Sequence, residues 1–560
     1  MLSDVTRPLL IQCITLLSVL LSASLHAKPL NQSIHTKLSD DTILVQFQPG
    51  LKATQKELIH TQAKGKVTKQ IGPLRVDVVR VSKGSVDKAL ALYTNNPNVV
   101  FAEPNRTRPL FVPATTEGSE PGLGVENNFD QQYGLHNTGQ YFGATTDALG
   151  NLIVPAYKAT AGADINWSPI STTKDVAVAV LDSGVECTHK DLTNKCIEQV
   201  NYVAEHNSGP NDELGHGTHV AGIIAAITDN GIGIAGVAPE AKIGAMKVCW
   251  EDMTYALFGY VLGQCDDDDV AQALVDVADS GLYQVVNLSL AGTEAGTTLQ
   301  NAIDYAWEKG LVIIGAAGNS YSEQLHYPAG YDVVLSVGAT DYHDNLAAYS
   351  TFGSWVSVLA PGTAILSTVP GAACGQPDGE ASDCYDYKSG TSMAAPHVAG
   401  LAAVLAADSA ANYSNSEIRS IIENSANKLG TLGQQFQSWV TYGRVDMAAA
   451  TNYVSEPSYT HTASAMFADT VSAGKGNKKA QVTVTVSDDS GNPVQGVSVS
   501  GLFSGDFTEE VTANTDSSGI AVLTTEGTQK GGVNYEFCIR LISDSTDTTW
   551  DEATPCVIFP

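Results

Sequence analysis

Four short apolar runs in the middle of the chain constrain its fold more than any other feature. They lie at 175–181, 285–290, 311–317 and 333–337 and are rich in Val, Ile, Leu and Ala. Runs of this length without polar alternation are what strands buried on both faces look like. The stretches between them, 216–226, 270–280 and 296–309, read as helices packed with small residues. Strand–helix alternation of this kind predicts an α/β fold with a parallel, doubly covered sheet. In such sheets, chemistry gathers at the carboxyl ends of the strands.

The flanks read differently, and 560 residues exceed one ordinary domain. Arg7 followed by the apolar run 9–21 and small residues up to Ala27 predicts a secretion signal over 1–27, too short for a membrane span. Residues 28–125 are expected to form a small α+β unit, with strands at 42–47, 76–81 and 98–105, a helix at 85–93 and a linker at 113–124. The α/β unit occupies 126–452. From 453 to 560 a polar linker leads to period-two runs at 480–486, 497–503 and 520–524, the pattern of an all-β sandwich. Asp and Glu outnumber Lys and Arg 60 to 30, which argues against a nucleic-acid partner. Beyond Cys13, eight cysteines fall as sequence neighbours, 187/196, 249/265, 374/384 and 538/556; in an exported chain these are expected to be local disulfides.

Three motifs sit where the strand-end rule places chemistry. Asp182-Ser183-Gly184 closes the first apolar strand, and His216-Gly217-Thr218-His219 opens a helix. Gly390-Thr391-Ser392-Met393-Ala394-Ala395-Pro396-His397 sets a serine among small residues at the mouth of a long apolar helix. First-turn N–H groups lack intrahelical partners, so this serine sits beside a ready site for negative charge. A nucleophilic serine needs a base in reach, and the imidazole needs an acceptor that fixes its tautomer. Alone, each motif has an ordinary explanation, such as an N-cap serine. Together, in the order Asp, His, Ser, they are specific. The Gly-x-Ser-x-Gly elbow and late histidine of an α/β-hydrolase are absent.

With these residues the region 126–452 resembles the subtilisin-like serine proteases, the subtilases. Gly236-Val237-Ala238-Pro239 and Tyr442-Gly443-Arg444-Val445 match as well. The resemblance implies that Asp182 orients His216, that His216 is the general base and acid, and that Ser392 attacks the carbonyl. It makes His219 structural and Asn319 the oxyanion-hole donor beside the Ser392 N–H. It assigns substrate contacts to Ser289, Leu290, Ala291 and Gly318, on an edge where substrate adds as a β-strand; Ala291 replaces the usual glycine and narrows the entrance. It also implies a structural Ca2+ held by Asp191, Asn230 and the carbonyls of Ile227, Ile232 and Ile234. Residues 28–125 resemble the inhibitory propeptide of these enzymes, and the C-terminal region resembles the Ig-like domains appended to secreted bacterial enzymes. The implied function is a secreted, monomeric serine endopeptidase acting on proteins and peptides, made as an autoprocessed precursor with its propeptide as intramolecular inhibitor. The alternative is a non-catalytic surface adhesin or scaffold that keeps a protease-like domain. The run Asp266-Asp267-Asp268-Asp269 exceeds what a helix cap requires, and its surplus is expected to favour basic residues upstream of the scissile bond.

Overall fold

The structure, a computed structural model, describes residues 36–110, 131–142 except 136 and 140, 157–168, 174–252 except 207, 208 and 210, 262–374, 384–453, 462–487, 492–543 and 556–559. The signal stretch 1–27 and the linker 113–124 lie outside the described residues. The chain divides into two compact units, 1–453 and 454–560.

In the first unit, four strands form a small antiparallel sheet. They are β1 (Lys37–Phe47), β2 (Lys66–Ile71), β3 (Val76–Arg80) and β4 (Val99–Leu110), with helices α1 (Ala53–Gln62) and α2 (Val86–Thr94) against one face. Two of these elements, α1 and β2, were not expected. Both are rich in Lys, Gln and Thr, which leaves little periodic signal.

The α/β fold follows in chain order with β5 (Ala177–Asp182), β6 (Cys196–Asn201), α3 (His216–Ala225) and β7 (Lys242–Lys247). Next come β8 (Cys249–Asp252), β9 (Leu262–Asp266), α4 (Asp267–Ser280), β10 (Val285–Leu288), α5 (Thr297–Glu308) and β11 (Val312–Ala316). It ends with β12 (Leu335–Thr340), β13 (Val358–Pro361), α6 (Thr391–Ala406), α7 (Asn415–Asn424) and β14 (Gly443–Arg444). Eight strands make one parallel sheet in the order β14-β13-β12-β11-β10-β5-β7-β6, as the apolar runs imply. Alternation along β5 shows why both faces are apolar. Val178 and Val180 belong to the cluster on the side of α3 and α6, whereas Ala177, Ala179 and Leu181 belong to the cluster on the side of α4.

The small sheet does not end at β4. β4 pairs antiparallel with β9, which pairs with β8, so six strands run β8-β9-β4-β1-β3-β2 across both folds. The other face of the small sheet lies on α4 and α5 through Leu44, Val76 and Val78, with Leu74 and Leu110 in the same cluster. At about 1.5–3 kcal/mol per fully buried aliphatic side chain, these contacts dominate the adhesion.

The second unit is all-β. Antiparallel strands Thr462–Gly474, Asn477–Ser487 and Ile520–Thr524 form one sheet; Ser498–Gly505, Glu509–Asn514, Tyr535–Ser543 and Cys556–Phe559 form another. Val482, Val484, Val499, Phe503 and Phe537 fill the core between them. Disulfides join Cys187 to Cys196, Cys249 to Cys265 and Cys538 to Cys556, as nearest-neighbour pairing predicts. Cys384 is disulfide-bonded too. Among the described residues no helix is long and apolar enough to cross a membrane.

Candidate active site

Asp182 is the last residue of β5 and His216 the first of α3; both are fully buried. Their side chains meet at 2.7 Å, His216 Nδ1 to Asp182 Oδ1. The Ser183 N–H donates to the same oxygen at 2.7 Å, which fixes the carboxylate. With Nδ1 facing a carboxylate, the neutral imidazole carries its proton there and leaves Nε2 as an acceptor. Nε2 is buried and unpartnered. Asp212, not singled out in the sequence, holds the turn into α3. It accepts from the Leu214, Gly215 and Thr218 amides and from the Ser183 and Thr218 hydroxyls. An aspartate four residues before the histidine, just ahead of a helix, was the signal available. His219 faces two carbonyls through Nε2, Ile365 O at 3.0 Å and Asp386 O at 3.1 Å, so that nitrogen donates. Burial keeps its pKa well below the usual histidine range.

Ser392 is the second residue of α6, which packs against α3. Its Oγ donates to Ser289 O at 3.0 Å, and Ser289 Oγ donates back to Ser392 O at 2.9 Å. The second bond explains Pro396. An α-helix would fill the Ser392 carbonyl from the amide four residues on, and Pro396 has none to give. Ser289, at the end of β10, takes that place and locks the serine's backbone to the sheet. The Ser392 hydroxyl thus donates to Ser289 O and not to His216, whose Nε2 has no partner. Such hydrogen bonds commonly tighten only when substrate is bound.

Asn319 follows the end of β11. Its Oδ1 accepts from the Thr391 N–H at 2.9 Å and from Thr391 Oγ1 at 3.1 Å, which leaves Nδ2 free to donate. Thr391, also missed, therefore sets the amide's orientation. One pocket brings together Ser289, Ala291, Ala316, Gly318, Asn319, Thr391, Ser392 and Pro109 of β4. Three of the four expected substrate contacts line it. Leu290 does not; its side chain is buried among Leu288, Leu299 and Tyr331 in the core beneath α4 and α5. The pairing along this edge adds a strand that the sequence did not point to. Gly292 bridges Tyr327, and β4 pairs with β9, with Leu110 opposite Gly263 and Arg108 opposite Cys265.

The acidic run lies on this edge, and β1–β4 neutralise it. Thr107 donates to Asp266, Arg108 to both oxygens of Asp267, Asn105 to Asp268, and Lys69 to Asp268 and Asp269. Glu103 caps α5 by accepting from the Thr297 and Thr298 amides at 3.0 and 2.8 Å.

Asp191 and the loop 227–234 form a separate cluster. Asp191 Oδ1 accepts from Asn230 Nδ2 at 2.6 Å; Oδ2 accepts from the Ile234 N–H at 2.8 Å and the Tyr385 hydroxyl at 3.0 Å. A Cβ on Gly233 would stand 2.0 Å from Asp191 Oδ2, so the loop closes directly on the carboxylate. A buried carboxylate in a loop of carbonyls suits a hard cation. The orientation of Asn230 does not, because its Oδ1 accepts from the Ile232 N–H at 3.0 Å and its nitrogen faces Asp191.

Residues 173–443 match the subtilase family, and residues 26–105 match the fervidolysin N-terminal prodomain. A thermophilic serine proteinase of Bacillus sp. (strain AK1) is 37% identical over 419 residues, 73% of this chain and 87% of that protein. Thermitase of Thermoactinomyces vulgaris is 40% identical over 276 residues, 49% of this chain and 88% of the relative. The crystal structure of fervidolysin from Fervidobacterium pennivorans, described as a keratinolytic enzyme related to subtilisin, superposes with a TM-score of 0.55 at 27% identity, covering 90% of this chain and 71% of that one. The non-catalytic scaffold is not favoured by relatives of this kind. The chain belongs to the subtilase family and is a serine endopeptidase that carries a fervidolysin-type prodomain.

Proposed function

We propose that Ser392 is the nucleophile, His216 its general base and acid, Asp182 the residue that orients His216, and Asn319 the oxyanion donor. The observation that carries this reading is the Asp182–His216 hydrogen bond, which leaves Nε2 as the only proton acceptor on the ring. His216 Nε2 takes the proton of Ser392 Oγ as the oxygen bonds to the substrate carbonyl carbon. The resulting oxyanion is met by Asn319 Nδ2 and the first-turn N–H of Ser392. His216 then gives the proton to the leaving amine, which departs and leaves an ester on Ser392. A water molecule, losing its proton to His216, attacks that ester; the acid product leaves and Ser392 regains its hydrogen. A serine-directed phosphonylating or sulfonylating inhibitor should label Ser392 alone, as read by peptide mass mapping. Loss of activity with the label on another residue would overturn the assignment.

Residues 28–125 act, on this reading, as an intramolecular inhibitor that fills the cleft until cut away. The support is β4, which runs along β9 to Leu110, fully buried, with Pro109 in the Ser392 pocket. Residues 126–452 form the mature protease, and 453–560 an Ig-like module without catalytic groups. Export through the signal at 1–27 agrees with the disulfides. A structural calcium ion at Asp191, Asn230 and the carbonyls of Ile227, Ile232 and Ile234 would neutralise the buried carboxylate, and it requires Asn230 to turn its amide over. A chelator should then lower the melting temperature before it affects turnover; an unmoved melting temperature would remove the ion.

A further inference from the structure

β4 is held as an extended peptide in the substrate path, and its side chains report what the path accepts. Leu110 lies over Gly263 and beside Leu214, where a Cβ on Gly263 would stand 2.6 Å from the Leu110 Cβ. Arg108, two residues earlier, is fully buried, which is unusual for this side chain. Its guanidinium meets Asp267 in a two-pronged pair: Nε donates to Oδ1 and Nη2 donates to Oδ2 at 2.9 Å. Nη1 donates to Tyr327 O at 3.1 Å. The pocket is shaped for the long side chain. A Cβ on Gly292 would come within 3.0 Å of Arg108 Nη1, and one on Gly296 within 2.7 Å of Asp267 Oδ2.

We propose that the pocket floored by Asp267 is a substrate subsite for a guanidinium. The enzyme thereby selects protein segments that carry an arginine two residues before an apolar side chain, both on the N-terminal side of the bond cut. The remainder of the acidic run is not part of this subsite. Asp268 and Asp269 are met by Asn105 and by Lys69 of β2, and only the prodomain brings these. Asp267 differs, because its partner Arg108 lies within the stretch of β4 that pairs with β9 up to the Ser392 pocket, whereas Asn105 precedes that stretch and Lys69 lies on β2. Once the prodomain has left, Asp267 remains as the first residue of α4, fixed by the helix and without its cation. An incoming arginine restores both prongs. Lysine restores the charge but not the fork, and a neutral side chain restores neither.

The test uses the mature enzyme and an internally quenched peptide with the sequence of residues 105–114, Asn-Arg-Thr-Arg-Pro-Leu-Phe-Val-Pro-Ala. Variants carry lysine or citrulline in place of the Arg108 equivalent; a control carries citrulline in place of the Arg106 equivalent. The expected order of kcat/KM is arginine over lysine by about tenfold and over citrulline by about a hundredfold, preserved at 1 M salt, with the Arg106 control changed less than threefold. D267N should bring the arginine peptide down to the citrulline level. The peptide series on the unaltered enzyme decides the matter even where D267N fails to mature. Arginine and citrulline peptides cleaved within twofold of each other would overturn the subsite, as would equal losses at the two arginine positions. Casein hydrolysed in the same samples separates a failed subsite from an inactive enzyme.

Discussion

The proposed catalytic centre and the upstream edge of the cleft are built on opposite principles. Around Asp182, His216 and Ser392 the holding contacts come from strand ends, helix starts and backbone amides, with small neutral residues packed between them. At the edge, four consecutive carboxylates are met by side chains about 160 to 200 positions earlier in the chain. Composition repeats the contrast. Residues 28–110 hold 13 of the chain's 30 Lys and Arg but only 6 of its 60 Asp and Glu. Buried ion pairs add little net stability over apolar isosteres, so the apolar contacts of Leu44, Val76, Val78 and Leu110 are expected to hold the prodomain on and the charges to set its register. The centre is permanent; the edge is complete only with a basic partner in place.

The largest expected effect isolates the centre. Ser392→Ala should lower peptide hydrolysis by on the order of 10^6-fold and leave an uncut precursor, seen by intact mass. Fully mature protein from that variant would show that the cut is made elsewhere. Arg108→Met, made in the Ser392→Ala precursor, probes the edge. It leaves Asp267 buried without its cation, at a cost of about 3–5 kcal/mol, read as an earlier urea transition. Adding Asp267→Leu should recover most of the loss, because an apolar pair is about neutral against the ion pair. A double variant as unstable as the single would mean that the charges provide adhesion as well as register. Asn319→Ala should remove about 2.7–4 kcal/mol of transition-state stabilisation, in kcat rather than KM. An equal loss in KM would make Asn319 part of substrate binding instead.

The same contrast sets what could be read in the sequence. β5, β10, β11 and β12 were legible because both faces of each are apolar. His216 and Ser392 were legible because their motifs open helices within a few residues of the groups that support them. Thr391 and Asp212 were within reach, since the first lies inside its motif and the second just ahead of one, but their bonds give no periodic signal. The Ser289–Ser392 clasp was out of reach, for nothing local links Pro396 to a strand end more than a hundred residues away. The pairing of β4 with β9 was not foreseen, because pairing between chain segments depends on register, which burial patterns fix only within a strand. The acidic run gave the sign of its partner, and only the structure separates Asp267 from its neighbours.

The smallest expected effect is on pH dependence, where the two regions should pull in opposite directions. His397 lies in α6 beneath the centre, its Nδ1 donating to Met393 O at 2.8 Å and its other nitrogen facing Gly134. Burial lowers its pKa to about 4. Between there and the unfolded value near 6.5 the unfolded chain binds the extra proton, so stability falls as pH falls, by about 1.4 kcal/mol per pH unit. Asp269, at the edge, is raised to about 7, by burial first and then by Asp268, against the pull of Lys69. Between about 4 and 7 it is the folded chain that binds the extra proton, so this group adds stability as pH falls. In the Ser392→Ala precursor the two groups therefore contribute slopes of opposite sign between about pH 4 and 6.5. His397→Gln should tilt the urea-midpoint profile towards greater stability at acid pH, and Asp269→Asn should tilt it the other way. Two variants that tilt the profile in the same direction would show that the edge carboxylate stays charged beside Lys69, and the two regions would then titrate alike.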